Sequence, residues 1–432
     1  MRERARGIAR ASLALPWEAV VDDWIAEMAA ARAAHGDTFG IEAADGSWWW
    51  FVFGPVGVRA FYELDERDAS KGVADWLMLR RKLPPELFDG RRTLPHELFG
   101  RHATETYLAQ LHAAIEVSFA ELGESGRVDV FEWCRRLGHR MGLASWGGEP
   151  PALGARFDRL VDRFDALDGS AAFVDPAAMR AVADSDYAAE RAALHDLRSM
   201  FADSIRSRDA TGANVDDLFA TIMQRWDDSK GSDRSRGIAD DVVLVHLGSM
   251  SNLFAALAWT IVDLVARPDL VARVRDGDTA LLERCTLESI RIAQRSLMSR
   301  AVLRGRTIAT DAGPIDLQRG DAIATLLPLT NTTAAAGLDR YQPDRWERRR
   351  LRDDPDLAAR ELVATFGHGS HTCPAQPFSL AAIAMAVGRL YEHYDLTPPA
   401  ESAQPRAGQI GGVARSAAPY VVDYGPRDAA SG

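Results

Sequence analysis

The residues with the clearest chemical potential form one short run, Phe366-Gly367-His368-Gly369-Ser370-His371-Thr372-Cys373-Pro374-Ala375, and an apolar stretch, FSLAAIAMAVGRLYEHY, comes soon after it. The pattern predicts a helix that begins just after Cys373. A cysteine at a helix N-terminus meets free N–H groups and the positive end of the helix dipole, which favour the thiolate, the form that ligates metals. Gly367 and Gly369 let backbone approach that sulfur, and whatever is bound to it, closely. The other cysteines, Cys134 in VFEWCRRLGHR and Cys285 in LLERCTLESI, match no zinc or redox spacing and read as small buried hydrophobes.

Four further charged residues stand out. Glu288 and Arg291, in E-x-x-R, share one helix face at i,i+3. Arg300 follows at the start of a strand-like piece, and Arg345 lies in Tyr341-Gln342-Pro343-Asp344-Arg345-Trp346.

The elements that must position these residues are mostly helical. From about 240 to 267 the run DDVVLVHLGSMSNLFAALAWTIVDLVAR predicts one long helix buried nearly all round, with Asp240-Asp241 at its N-terminal end and Pro268 past its C-terminal end. A second helix covers about 279 to 294. Helical spacing also marks the stretches near 104–122, 155–167 and 187–207. Strand-like pieces are IEAADGSWWWFVFGP, a hairpin turning at Asp45-Gly46, then SRAVLRG, RTIAT, GPIDL, DAIATLLP and, in the tail, YVVDY. No repeat or low-complexity linker divides the chain.

Composition narrows the class. The chain of 432 residues is 47% hydrophobic and 26% charged, and 51 Lys+Arg against 62 Asp+Glu give a net charge of −11. That balance argues against a nucleic-acid protein. The N-terminal apolar stretch is too short and interrupted for a signal peptide or membrane anchor, which points to a cytoplasmic protein with no membrane anchor.

Phe366, Gly367, Gly369, His371 and Cys373 match the loop F-G-x-G-x-[HR]-x-C-x-G, and with E-x-x-R and Arg345 the chain resembles the cytochrome P-450 superfamily. The resemblance covers about residues 15–425, with its specific motifs all after residue 240. It departs at Ala375, where Gly is usual, and in Pro377 of the following turn. The resemblance implies a mainly α fold with small β-sheets (α+β), a single triangular domain over 1–432. Haem b, iron protoporphyrin IX, would lie between the central distal helix and the helix of the cysteine loop. Cys373 would be the axial iron ligand, and its thiolate would push electron density onto iron and favour O–O cleavage. Phe366 would lie in the haem cradle, and His371 and Arg300 would pair with propionate. The family's W-x-x-x-R finds no clean match, and Arg101 and His102 are substitutes for it. Glu288, Arg291 and Arg345 would form a structural network.

The distal helix is where the pattern breaks. Monooxygenases of the family usually carry A-G-x-[DE]-T there, and this chain reads Gly248-Ser249-Met250-Ser251-Asn252. Ser251 and Asn252, the candidate catalytic pair, replace the acid and the alcohol. Asn cannot titrate, but it donates and accepts hydrogen bonds. The N-x-x-x-A-x-x-W pattern is similar to that of the prostacyclin synthase and cholesterol 7α-hydroxylase group. Asn252 can equally cap a helix kink, and His246 reads as a satisfied core histidine.

By family position a lipophilic substrate would meet Trp76, Met78 and Leu79, Phe254 of the central helix, Leu297 and Met298 after E-x-x-R, and Val413 in the tail. Two basic runs, Arg348-Arg349-Arg350 with Arg352, and Arg135-Arg136 with Arg140, could dock an acidic ferredoxin or flavodoxin supplied by a reductase. Three readings stay open: a soluble, monomeric monooxygenase inserting oxygen from O2; a partner-independent isomerase or dehydratase of a peroxide or other oxygenated substrate; and a non-catalytic haem-binding sensor.

Overall fold

The computed structural model describes residues 7–427, except 94, 100, 151–153, 170–174, 212–214, 216, 251, 348–350 and 352–354. The chain opens with β1 (Ala9–Arg10), α1 (Trp24–His35), β2 (Thr38–Glu42), β3 (Trp48–Val52), α2 (Pro55–Glu63), β4 (Ala69–Ser70) and α3 (Lys71–Leu79). A helical body follows: α4 (Pro95–Leu98), α5 (Arg101–Leu122), β5 (Gly126–Asp129), α6 (Val130–Ser145), α7 (Ala155–Leu167), α8 (Pro176–Asp184), α9 (Ala188–Thr211), α10 (Leu218–Gln224), α11 (Gly231–Met250), α12 (Leu253–Val265), α13 (Pro268–Arg275) and α14 (Thr279–Ala293). Then come β6 (Leu297–Val302), β7 (Arg306–Ile308), β8 (Ile315–Leu317), β9 (Ala322–Leu326), α15 (Leu327–Thr333), α16 (Gln376–His393), β10 (Tyr394–Thr397) and β11 (Val421–Pro426).

Among the described residues the strands make a six-stranded sheet in the order β1-β2-β3-β9-β6-β4, a three-stranded sheet β10-β11-β5 and the ribbon β7-β8. The hairpin of β2 and β3 turns where Asp45-Gly46 predicts: Gly46 has φ +80°, and the Ser47 N–H donates to Asp45 Oδ1 at 2.9 Å. Both faces of this aromatic hairpin are covered. Phe39 and Phe51 pack towards α1, Trp24 and Leu326, while Trp48, Trp50 and Val52 pack towards Phe61 and Ile323.

The central helix begins at Gly231, so Asp240 and Asp241 lie inside it rather than at its start. Both are buried, and each has its charge met by another segment. Asp240 accepts two hydrogen bonds from Arg198, at 2.7 and 2.9 Å. Asp241 accepts from the Thr93 hydroxyl at 2.7 Å and the Trp226 indole at 2.8 Å. Ion pairing and hydrogen bonding, not the helix dipole, place these acids. The span Gly231–Val265 is long and apolar enough by composition to cross a membrane, and 71% of its most apolar window is buried inside the fold.

The predicted single helix is two. α11 ends at Met250 and α12 starts at Leu253, with Asn252 at φ −130° and ψ −67° breaking the ladder between them. α12 then runs through the core against α6, α14 and α16. Its approach to α6 is close: a Cβ added at Gly138 would lie 2.1 Å from the Phe254 ring.

Candidate functional site

The cysteine loop is fixed by its own backbone. The Cys373 N–H donates to Phe366 O at 2.7 Å, Thr372 N to Gly369 O at 3.2 Å, and Gln376 N to Cys373 O at 3.2 Å. Gly367 has φ +80°, and a Cβ there would lie 2.4 Å from the His371 carbonyl oxygen, so glycine is required on both counts. Ala375, where the resemblance predicts Gly, is the N-cap of α16 at φ −83° and ψ 4°, a conformation alanine adopts without strain. Pro377 sits in the first turn of α16, where its missing N–H costs nothing.

Cys373 itself is half-buried. Burial raises its thiol above the ordinary cysteine value, and the N–H groups of Ala375 and Gln376 and the nearby Lys71 ammonium pull only partly the other way. The expectation of a thiolate favoured by the helix end alone is therefore corrected. Desolvation of the sulfur outweighs the pull of those N–H groups.

Beneath the loop, Glu288 and Arg291 are both fully buried and pair at 2.8 Å. Arg345 Nε reaches the same carboxylate at 2.9 Å. The Trp346 indole (3.0 Å) and the Gln342 N–H (2.9 Å) complete its acceptor set. Arg291 also donates to the carbonyls of Asn331 (2.6 Å) and Leu338 (2.5 Å). Asn331, which sequence spacing does not single out, links this network to the loop. Its Nδ2 donates to Ala364 O at 3.0 Å and to Arg291 O at 3.1 Å, and its Oδ1 accepts from Ala364 N at 2.8 Å. A buried Asn in LTNTT was the available signal.

Arg300 is fully buried and already committed. It donates to Ala69 O (2.7 Å), Phe61 O (2.9 Å) and the Glu66 carboxylate (3.2 Å). These bonds brace β6 against the α2–β4 segment, and the guanidinium lies close enough to His371 to act on it electrostatically, both side chains meeting at Glu66. His371 differs. Its Nε2 is buried without a hydrogen-bond partner among the described residues, and lies 3.5 Å from Glu66 Oε1. Arg101 and His102 open α5, but their side chains, like Ser251, lie outside the described residues.

On the distal side, Gly248 and Asn252 are exposed although the helices around them are largely buried, and nothing lies within 4 Å of a Cβ built on Gly248. Asn252 Nδ2 donates to Gly248 O at 3.1 Å. It thus satisfies a carbonyl that the break in the helix orphans.

His246 faces away from this open side, into a chain of rings. The Trp146 indole N–H donates to His246 Nδ1 at 3.1 Å, His246 Nε2 lies 2.9 Å from His139 Nδ1, and His139 Nε2 lies 3.1 Å from Asp165 Oδ1. The indole can only donate, so for neutral rings the order of donors is fixed along the whole chain. Burial pushes His246 well below the ordinary histidine value and lowers His139 as well.

The substrate-contact candidates fall in different apolar clusters. Leu79, Phe254 and Val413 belong to the large helical core, Met78 and Leu297 pack against the α1 cluster, and Met298 against the cluster under α2. Leu297 and Met298 face opposite sides of β6 because strand side chains alternate. Trp76 is 41% exposed. The basic run of α6 is spent internally: Arg135 pairs with Asp165 and Asp168, Arg136 with Glu121 and Asp158, and buried Arg140 with Glu121. Arg348, Arg349, Arg350 and Arg352 lie outside the described residues.

Three observations fit a haem held by this loop. They are the tight glycine turn under Cys373, the unpartnered buried nitrogen of His371, and the open face at Gly248 and Asn252.

Comparisons with known proteins agree with that class. No protein-family model matches the chain. It is 25% identical over 225 residues to cyclooctat-9-en-7-ol 5-monooxygenase of Streptomyces melanosporofaciens, an alignment covering 47% of each protein. The chain thus spans about half the length of the curated relative it matches. It superposes on a retinoic-acid-bound cyanobacterial CYP120A1 with a TM-score of 0.73, at 13% identity, over 92% of this chain and 94% of that one. The chain therefore has the cytochrome P-450 fold, mostly helical with small sheets. The sequence likeness to a monooxygenase supports the same superfamily.

Proposed function

We propose that the chain is a haem-thiolate monooxygenase that inserts oxygen from O2 into a lipophilic small molecule, with electrons from separate redox partners of the ferredoxin or flavodoxin kind. The observation that supports this most directly is the Cys373 loop, whose backbone is shaped by Gly367 and tied through Asn331 to the Glu288–Arg291 pair.

Haem b bound through Cys373 supplies the activation of dioxygen. The protein's own residues do the rest. The loop holds the sulfur at a fixed depth and shields it from water. His371 Nε2, without a hydrogen bond and facing Glu66 at 3.5 Å, could turn to a propionate. Gly248 leaves room against the helix, and Asn252 could orient a substrate alcohol, a peroxide or water by hydrogen bonding but cannot deliver a proton by titrating.

That last property supports a second reading, an isomerase or dehydratase acting on a peroxide or other oxygenated substrate without electron donors, in keeping with the distal pattern shared with the prostacyclin synthase and cholesterol 7α-hydroxylase group. Turnover assays separate the two. The monooxygenase requires NAD(P)H, a reductase system and O2, whereas the isomerase converts a lipid hydroperoxide anaerobically. Binding of ligand with no turnover in either assay marks a sensor instead. The haem assignment is tested first: reduced, carbon-monoxide-treated protein should show the red-shifted Soret band of thiolate ligation, and Cys373→Ser should lose it. An unchanged spectrum in that variant overturns the assignment.

A further inference from the structure

Three side chains from distant parts of the chain meet beside the cysteine loop. Glu66, between α2 and β4, places Oε1 3.2 Å from Arg300 Nη2 and 3.5 Å from His371 Nε2. The same oxygen accepts the Lys71 N–H, the first of α3, at 3.2 Å. Oε2 accepts the Ser70 hydroxyl at 2.8 Å. Burial raises the Glu66 carboxyl, but the Ser70 hydroxyl, the Lys71 N–H and the charges of Arg300 and His371 outweigh it and hold it below the ordinary carboxylate value. A carboxylate of the chain itself thus sits in an anion cradle made by Arg300, His371 and a backbone N–H.

Glu66 fills that cradle incompletely. The Arg300 side chain is fully buried and that of His371 is 8% exposed, whereas Glu66 is 47% exposed. A guanidinium carries five N–H donors, and the bonds of Arg300 to Ala69 O, Phe61 O and Glu66 use one on each nitrogen. His371 Nε2 makes no hydrogen bond among the described residues. Glu66 Oε1 stops too far from it for a good one. A buried nitrogen left in this state is a cost that a better placed acceptor removes.

Glu66 is also built to give way. Oε2 can keep the Ser70 hydroxyl while Oε1 withdraws, and the exposed half of the side chain has water to turn into. Arg300 stays in place meanwhile, because Ala69 O and Phe61 O hold its other nitrogens.

We propose that Glu66 is a stand-in for a haem propionate: it occupies the Arg300–His371 cradle when the cradle holds no cofactor, and a propionate takes its place there when haem is seated. The exchange swaps one carboxylate for another and makes or breaks no covalent bond. It rests on the haem-thiolate reading and adds that cofactor binding competes with a side chain of the chain itself. In the loaded protein the displaced Glu66 lies beside the propionate, where like charges repel.

Transfer of haem from the loaded chain to excess apomyoglobin, followed in the Soret band, tests this. Glu66→Gln removes the competing charge and should slow haem loss about fivefold, the scale of one partly exposed charge contact. A Glu66 that only braces Arg300 gives the reverse, so faster or unchanged loss overturns the proposal. Asp65→Asn removes a neighbouring charge that pairs with Arg67 and should leave the rate unchanged; an equal slowing there assigns the effect to charge in general and overturns it too. Loaded with haem dimethyl ester, which has no propionate charge, the wild type and Glu66→Gln should lose the cofactor at the same rate, and a persisting difference overturns the exchange. Should Glu66→Gln fail to fold by circular dichroism, Glu66→Ala gives the same comparison with the same outcomes. A loaded chain without the red-shifted Soret band of its carbon-monoxide complex overturns the haem-thiolate reading and this proposal with it, whereas a normal band with an unchanged transfer rate overturns the role of Glu66 alone.

Discussion

Arg345 Nε donates at 2.9 Å to Glu288 Oε1, the same oxygen that Arg291 Nη2 holds at 2.8 Å. One buried carboxylate thus joins α14 to the irregular segment leading to the cysteine loop. Glu288→Gln keeps the shape but removes the charge, leaving Arg291 buried without its counter-ion. That change should cost about 3–5 kcal/mol in chemical denaturation. Arg345→Ala should cost less, because Arg345 is 12% exposed and Arg291 stays paired. A smaller loss for Glu288→Gln than for Arg345→Ala would contradict this account.

Gly367→Ala forces a side chain into positive φ and into the His371 carbonyl. The backbone strain alone is of order 1–3 kcal/mol. The variant should lower both thermal stability and haem retention, measured by melting and by the ratio of Soret to protein absorbance. Gly248→Ala, where nothing lies within 4 Å, should leave the melting temperature unchanged.

His139 and His246 should both be neutral at pH 7, since burial lowers the pKa of each. Both should be Nε2–H tautomers, because the Trp146 indole claims His246 Nδ1. Nitrogen-15 NMR of labelled imidazoles reads the tautomer directly. An Nδ1–H signal for His246 would refute the donor order. His246→Leu should be destabilising, because it leaves the buried Trp146 indole without its acceptor, a cost of about 1–3 kcal/mol.

Asp263, on α12, is pushed up to about 6 by burial, against the hydrogen bond it accepts from Ser289 Oγ at 2.7 Å. An unfolded aspartate titrates near ~3.9. The folded chain therefore holds an extra proton between those values. The associated stability is complete below about pH 4 and is lost as pH rises through about 6, a change of about 3 kcal/mol. Unfolding free energies of the wild type compared with Asp263→Asn across pH 4 to 7 should show this slope in the wild type only.

Asn252→Ala removes the hydrogen bond to Gly248 O, a net loss of about 1 kcal/mol. Under the monooxygenase reading it should also raise the fraction of reducing equivalents lost to peroxide, measured as NAD(P)H consumed per product formed. Coupling that does not change would confine Asn252 to bridging the helix break.

The sequence determined what is local. The glycine spacing before Cys373, E-x-x-R at i,i+3, the Asp45-Gly46 hairpin and the apolar periodicity of α12 each depend on residues a few positions apart. The loop, the Glu288–Arg291 pair and most elements were therefore legible. What depended on distant partners was not. Arg300 is spent on the carbonyls of Phe61 and Ala69, more than two hundred residues away in sequence. Asp240 and Asp241 read as a helix start but answer to Arg198, Thr93 and Trp226. The same holds for Cys373. Sequence placed Cys373 at a helix end that favours a thiolate, and only the tertiary structure showed that burial outweighs those N–H groups. Helix position is written in neighbouring residues, whereas desolvation is set by everything the fold packs around the sulfur.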